Sequence, residues 1–174
     1  MNHLPVLPIL LPLLAGCVLL LAERAPAALR RGFAVVATLV LLLLGVGLLR
    51  AVAGGEYLVY ALGDWPAPFS IVLVVDRLSA ALVLLTAVVA VASLAYAIVR
   101  DADAVGPHFL ALFQFQLLGI TGALLTGDLF NLFVFFEIML IASYTLLLHG
   151  MGAARVKAAL HVVVLNLIGS ALFL

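Results

Sequence analysis

Six stretches of this 174-residue chain hold at most one Asp, Glu, Lys or Arg over a length that matches a lipid bilayer. They are Leu4–Ala22, Gly32–Leu49, Leu78–Val99, Phe109–Gly127, Leu129–Leu148 and Ala158–Leu174, each of 17–22 residues. A helix rising 1.5 Å per residue needs about 20 residues to cross a hydrocarbon core of about 30 Å. In lipid, backbone polar groups must be satisfied within the element itself, and an apolar run does that only as a helix. Composition agrees: 68% of residues are apolar, 9% are charged and the mean hydropathy is +1.41. Soluble domains average about 25% charged residues, so an all-α polytopic membrane protein with about six transmembrane helices is expected.

Three units follow. Residues 1–52 hold helices 1 and 2, 53–77 form a loop, and 78–174 hold helices 3–6. Leu14-Ala15-Gly16-Cys17 looks like a lipoprotein cleavage site, but no Lys or Arg precedes it and the chain stays apolar beyond it, so an uncleaved first span is expected. The sixth run reaches Leu174 with no polar flank or aromatic belt, which points to the N-terminal part of a longer protein.

Orientation is read from the basic residues. Links after spans one, three and five carry Arg24, Arg30, Arg31, Arg100, Arg155 and Lys157, whereas those after spans two and four carry Arg50 and Arg77. The positive-inside rule puts the first set in the cytoplasm and the N-terminus outside. Between spans two and three, Tyr57–Leu62 and Ile71–Val75 are β-prone and Gly63–Pro68 is rich in turn formers, so a short β-hairpin on the outer face is expected. Trp65, Tyr57 and Tyr60 suit the headgroup level there.

Glu137 stands near the middle of the fifth run, where a carboxylate costs about 2.5–3.5 kcal/mol on insertion scales. Such a group is kept for ions, protons or a buried partner. Of the residues sharing its helical face, Phe130, Phe133, Val134, Leu140, Ile141 and Tyr144, only Tyr144 is polar, so the partner must come from another helix. Desolvation raises the proton affinity of a carboxylate and a nearby cation lowers it, which is what a proton relay requires. The alternative is a carboxylate that only bridges helices.

Lys157 and His161 are four apart, hence on one face at the cytoplasmic end of span six, and both residue types carry protons when shifted by their surroundings. A basic anchor and a packing histidine are the plainer readings. Asp128 precedes span five, where a carboxylate caps free N–H groups; ion access is its other role. Asp76-Arg77 invites the same capping reading, with an interfacial ion pair in addition. Asn166 and Ser170, four apart, suit interhelical hydrogen bonds, and Gly119 and Gly122 allow close helix approach. Gln114 and Gln116 lie on opposite faces, so at least one should meet another helix. Cys17 is a lone cysteine, the net charge is zero, and there is no phosphate loop, haem or zinc spacing, nucleophile elbow or nucleic-acid signature. No cofactor or metal is expected, and ion movement is the remaining reading rather than enzymatic chemistry.

Gly127–Tyr144, with Asp128 and Glu137 inside it, resembles the proton-translocating antiporter-like membrane subunits of bacteria. These are the D-type subunits of Mrp-type multisubunit monovalent cation/proton antiporters and the related membrane subunits of respiratory NADH:quinone oxidoreductase. Leu4–Pro12, Gly63–Phe69 with Val75–Ala80, and Lys157–His161 with Asn166–Ala171 extend the likeness through most of the chain. The wording around Ala142-Ser-Tyr144 and Asn166–Ala171 favours the antiporter family.

The resemblance implies a subunit of about fourteen spans with two inverted five-helix repeats, of which this chain would hold three leading helices and the first half of one repeat. It matches Glu137 to the family's central glutamate, paired there with a lysine on a helix that would follow Leu174. His161 departs from the pattern, where relatives more often carry Tyr. What is implied is secondary transport of Na+ or K+ against protons, in the bacterial cytoplasmic membrane, by a hetero-oligomeric complex. A proton-pumping subunit of the oxidoreductase and an assembly subunit without an ion path are the alternatives.

Overall fold

The computed structural model describes residues 3–64, 71–106, 108–149 and 153–173. Six helices follow the six apolar runs: α1 Leu7–Leu21, α2 Ala27–Ala51, α3 Arg77–Val99, α4 Phe109–Leu125, α5 Leu129–Leu148 and α6 Ala153–Phe173. Strands β1 Leu58–Ala61 and β2 Val72–Val75 lie between α2 and α3 and pair antiparallel, Leu58 opposite Val75 and Ala61 opposite Val72. Trp65 and the rest of the 65–70 connection lie outside the described residues.

The expectation of six membrane-length helices needs correction. Among the described residues three helices, α2, α3 and α5, are long and apolar enough to cross a membrane. The 15 residues of α1 and 17 of α4 rise only about 22–26 Å. Proline accounts for the short start of α1. Pro8 occupies its first turn, where its missing N–H costs nothing, and the chain before Leu7 forms a turn instead. At the end of α4, Thr126 leaves the helix to bridge Leu73 of β2, and the Gly127 N–H donates to the Val72 carbonyl at 2.7 Å. A side chain at Gly127 would run into Val74, so that turn depends on glycine. Conversely, α2 and α6 begin five residues ahead of their charge-free runs, because Arg30, Arg31, Arg155 and Lys157 sit inside the helices.

Each helix is positioned by an identifiable contact. Pro12 inside α1 cannot donate to the Pro8 carbonyl one turn back, and Thr121 Oγ1 of α4 donates to that carbonyl at 3.0 Å. Gln114 Nε2 of α4 reaches α2, donating to Thr38 Oγ1 at 3.2 Å and to the Ala34 carbonyl at 3.3 Å. On α3 the Asp76 carboxylate accepts the Ser79 N–H at 2.7 Å, and Ser79 Oγ accepts the Asp76 N–H, a complete capping box. The Ser79 backbone and hydroxyl hold the Asp76 carboxyl below its ordinary range. Arg77 forms no ion pair with Asp76. Its guanidinium turns to the C-terminus of α2 and donates to the Val52 and Ala53 carbonyls, where helix-end carbonyls are free and the dipole is negative.

The helices alternate in direction, and the links form two groups. At one end Arg31 pairs with Asp101 and Asp103 at 2.8 and 2.7 Å, Glu23 lies 3.7 Å from His108, and His149 Nε2 donates to the Ala102 carbonyl. At the other end, the β ladder, Arg77 and the α4–α5 turn come together. α4 is the central helix, packed on α1 and α5 and touching α2 and α3. The core is aliphatic, with Leu41, Leu48, Val83, Leu94 and Leu125 fully enclosed.

Candidate functional site

α5 begins after Asp128, whose carboxylate accepts the Asn131 N–H at 2.7 Å and also the Asn131 side-chain amide. This cap satisfies N–H groups of the first turn and sets where the helix starts. α5 then runs antiparallel to α4 along a seam of small residues. A Cβ on Gly119 would lie 2.6 Å from the Met139 nitrogen, and one on Gly122 would overlap the Phe135 ring. Met139 and Phe135 are therefore turned towards α4. Glu137 is two positions from each, about 200° round the helix axis, and so is turned the other way, towards α6.

There it meets a partner. Ser170 Oγ of α6 donates a hydrogen bond to Glu137 Oε1. Glu137 is half-buried and opens on a cleft of about 260 Å³ between the two helices. Phe133, Phe136 and Leu140 form its apolar walls, and Glu137, Asn166 and Ser170 supply the polar atoms. Water takes about 30 Å³ per molecule in the liquid, so the cleft has room for several. A carboxylate with one fixed hydroxyl donor and space for water can gain or lose a proton without a helix moving.

The other sequence candidates fall in different places. Tyr144 shares the Glu137 face two turns on, about 10 Å away by helical rise, and its hydroxyl is buried with no hydrogen-bond partner among the described residues. Lys157 and His161 precede Ser170 by thirteen and nine positions, which puts them about 140° and 180° round the axis of α6 from it. The structure thus does not place Lys157 beside Ser170 at Glu137. Lys157 is exposed, and the His161 side chain lies outside the described residues. Asp128 is two and a half turns from Glu137, at the opposite end of α5 from His149.

Sequence reasoning placed Asn166 and Ser170 on one face of α6 but did not connect them to Glu137. The signal was present: two polar residues four apart in an otherwise apolar helix must face something polar. Of the two glutamines, Gln114 is the one bonded to another helix, while Gln116 Oε1 is buried without a partner among the described residues.

No protein-family model matches the chain. Related sequences cover it throughout. The D-type subunit of a probable K+/H+ antiporter of Rhizobium meliloti (strain 1021) is 51% identical over 179 residues, covering 100% of this chain and 33% of that protein. The corresponding Na+/H+ antiporter subunit of Alkalihalophilus pseudofirmus is 41% identical over 177 residues, 100% of this chain and 35% of the relative. The N-type subunit of NADH-quinone oxidoreductase of Desulforudis audaxviator is 34% identical, over 99% of this chain and 35% of its own length. Among solved structures, a chain of the membrane-bound sulfane sulfur reductase, an archaeal respiratory membrane complex, superposes with a TM-score of 0.90 at 31% identity, over 98% of this chain and 35% of that one. A chain of the Mrp complex from Dietzia sp. DQ12-45-1b gives 0.88 at 30%, over 98% of this chain and 33% of its own length. The chain spans about a third of the length of the relatives it matches. The likeness to the Mrp-type antiporter family that the residues suggest is thus met over the whole chain, in sequence and in fold.

Proposed function

We propose that this chain forms the proton-carrying part of the D-type subunit in a multisubunit Na+(K+)/H+ antiporter of the bacterial cytoplasmic membrane, working with companion subunits. The observation that carries the reading is Glu137, an ionisable group in the middle of a 20-residue apolar helix, facing a cleft with room for water. Similarity to K+/H+ and Na+/H+ antiporter subunits supplies the ions. A cation entering beside a carboxylate lowers its proton affinity and a departing one restores it, so proton release at mid-membrane is coupled to cation movement. All six helices span the bilayer in this reading, as part of about fourteen in the whole subunit, the short ones met by local thinning. The N-terminus and the β ladder lie outside, and the end carrying Arg31 and Arg100 lies in the cytoplasm.

Tyr144 lies on the cytoplasmic side of Glu137 and forms the next step of the proton path, and Asp128 marks the outer end of the helix. Lys157 and His161 take part from the far face of α6, through a neighbouring helix rather than by contact with Glu137. The test uses everted vesicles of an antiporter-deficient host making the full-length protein with its companions. Sodium or potassium salt should collapse a preformed pH gradient in the wild type and leave it intact with Glu137→Gln, while Glu137→Asp retains part of the response. Full exchange by Glu137→Gln at matched expression makes Glu137 a bridge between helices and the protein an assembly element.

A second reading, a proton-pumping subunit of a redox-driven complex, draws on the likeness to the oxidoreductase and to the respiratory reductase. It predicts proton movement on electron transfer and none on adding the cation.

A further inference from the structure

Hydroxyls on these helices have a default partner. Thr38, Thr86 and Thr145 each donate to the carbonyl four residues back in their own helix, all at 2.8 Å, and Thr121 shares its hydroxyl between that carbonyl at 2.8 Å and the Pro8 carbonyl of α1 at 3.0 Å. That back-bond is available to any serine or threonine in a helix and satisfies the hydroxyl where there is no water. Ser170 departs from it: its hydroxyl leaves α6 and donates to the Glu137 carboxylate, 33 residues away. The carbonyl it forgoes is that of Asn166, one turn back in α6, and the Asn166 side chain lines the same cleft.

We propose that Ser170 is the positioning residue of the proton-carrying carboxylate: its hydroxyl donates to Glu137 while that group is charged and swings to the Asn166 backbone carbonyl when Glu137 is protonated. The inference rests on the reading of Glu137 as a proton carrier and adds the device that sets when it loads. The proton balance is simple. A charged carboxylate accepts only, so Ser170 must be the donor. Once a hydronium ion relayed along the water of the cleft gives its proton to a Glu137 oxygen and is left as water, the new O–H is a donor and the Ser170 oxygen can accept it. The serine proton is then surplus in that contact, and a rotation about χ1 carries it to the Asn166 carbonyl. No covalent bond forms or breaks at the protein other than the O–H at Glu137. Staggered χ1 wells supply the two positions. The hydroxyl therefore holds the carboxylate against α6, yet leaves no unsatisfied donor in either state.

The experiment measures exchange against pH in vesicles carrying the assembled complex. Its variants are Ser170→Ala, Ser170→Val and Ser170→Thr, beside Glu137→Gln. In general, a hydroxyl that donates to a carboxylate stabilises its charged form. With Ala or Val the half-maximal point of exchange should move to higher pH by about one unit. Thr restores the hydroxyl and should return the profile towards wild type. Val keeps the bulk of Thr, so lost packing would affect both alike, whereas the proposal separates them. Profiles that coincide for wild type, Ala and Val overturn the proposal, as does a shift that Thr shares with Val. If Ala fails to accumulate, the Val–Thr comparison decides. A silent Glu137→Gln with unshifted Ser170 variants refutes the serine device alone; an active Glu137→Gln refutes the underlying reading.

Discussion

Two of the polar contacts that join helices in this molecule, one between α2 and α4 and one between α5 and α6, are built oppositely. Between α2 and α4, Gln114 is 1% exposed, and its amide reaches Thr38 and the Ala34 carbonyl, to which Thr38 itself donates at 2.8 Å. The groups are neutral, enclosed by aliphatic side chains, and close a triangle of hydrogen bonds. Between α5 and α6, the contact is an ionisable carboxylate with, among the described residues, one hydroxyl donor, half-buried and beside a cleft of about 260 Å³. A saturated neutral contact has one state and holds the bundle together. An ionisable contact with room beside it has two states, and so suits a group that must change.

Burial follows the same division. The α1–α4 bundle encloses Leu41, Leu48, Val83 and Leu94, whereas on α5 only Asn131 and Ala142 are buried, and α6 exposes Leu160, Leu165, Ile168 and Leu172. Within this chain the enclosed aliphatic residues thus lie mainly on the first four helices, and the site is carried by a pair that leans on them through Gly119 and Gly122.

That division can be broken most forcefully by exchanging characters. Gln114→Glu puts a carboxylate at a fully buried position, and should destabilise the bundle by about 3–5 kcal/mol near neutral pH. Burial raises the proton affinity of such a carboxyl, so the loss should grow as pH rises above about 4 and be largely absent below; thermal unfolding in detergent across pH measures it. A destabilisation equal at acid and neutral pH would assign the effect to packing alone.

Gly119→Val acts on the seam. Its Cβ would lie 2.6 Å from the Met139 nitrogen, backbone that cannot turn aside, so α5 must move. A cost of about 1–3 kcal/mol is expected, together with loss of exchange, because α5 carries Glu137 away from Ser170. Unchanged exchange in a destabilised protein would show that the site does not depend on this packing.

Gln114→Leu is the milder bundle substitution. It removes the neutral contact while Thr38 keeps its bond to Ala34, so about 1 kcal/mol should be lost in unfolding measurements. The pH profile of exchange should not move, unlike that of Ser170→Val. A shift would mean that the two contacts are coupled through α4.

The smallest effect belongs to the α3 cap. Asp76→Ala should cost about 1 kcal/mol or less. The Asp76 carboxyl is held below its ordinary value of 3.8. Its contribution is therefore complete above about pH 4 and disappears as pH falls through the lowered range. Asp76→Ala should accordingly cost stability at about pH 7, and the cost should shrink progressively as pH falls below about 4.

Much of this was legible in the residues. Alternating runs and links placed six helices to within a few residues, because an apolar segment of this length has few other ways to satisfy its backbone. Where boundaries moved, a charge misled. Arg30 and Arg31 interrupt the apolar run yet lie inside α2, since Arg31 is neutralised by Asp101 and Asp103, 70 and 72 positions away. Arg77 misled in another sense: its neighbour Asp76 is the obvious partner in sequence, but that carboxylate is occupied by Ser79 and the α2 carbonyls are nearer to hand. Thr121 carries no sign in the sequence that it will satisfy Pro8, because that need arises only when α1 and α4 lie side by side.

By itself, the sequence determined that the chain is helical and belongs in a membrane, and that one carboxylate sits in the middle of a span. Each of those follows from transfer energies that depend on a residue and its immediate run, whatever the rest of the molecule does. Which group faces Glu137 was decided by tertiary structure. A helix shows several faces, and choosing one requires its rotation about its own axis. Close contact at Gly119 and Gly122 fixes that rotation for α5, and the packing of α6 on α5 then sets Ser170 against the carboxylate while Lys157 stands elsewhere on α6. A hydrogen bond is decided over a few ångströms, and the residues that make this one are 33 positions apart.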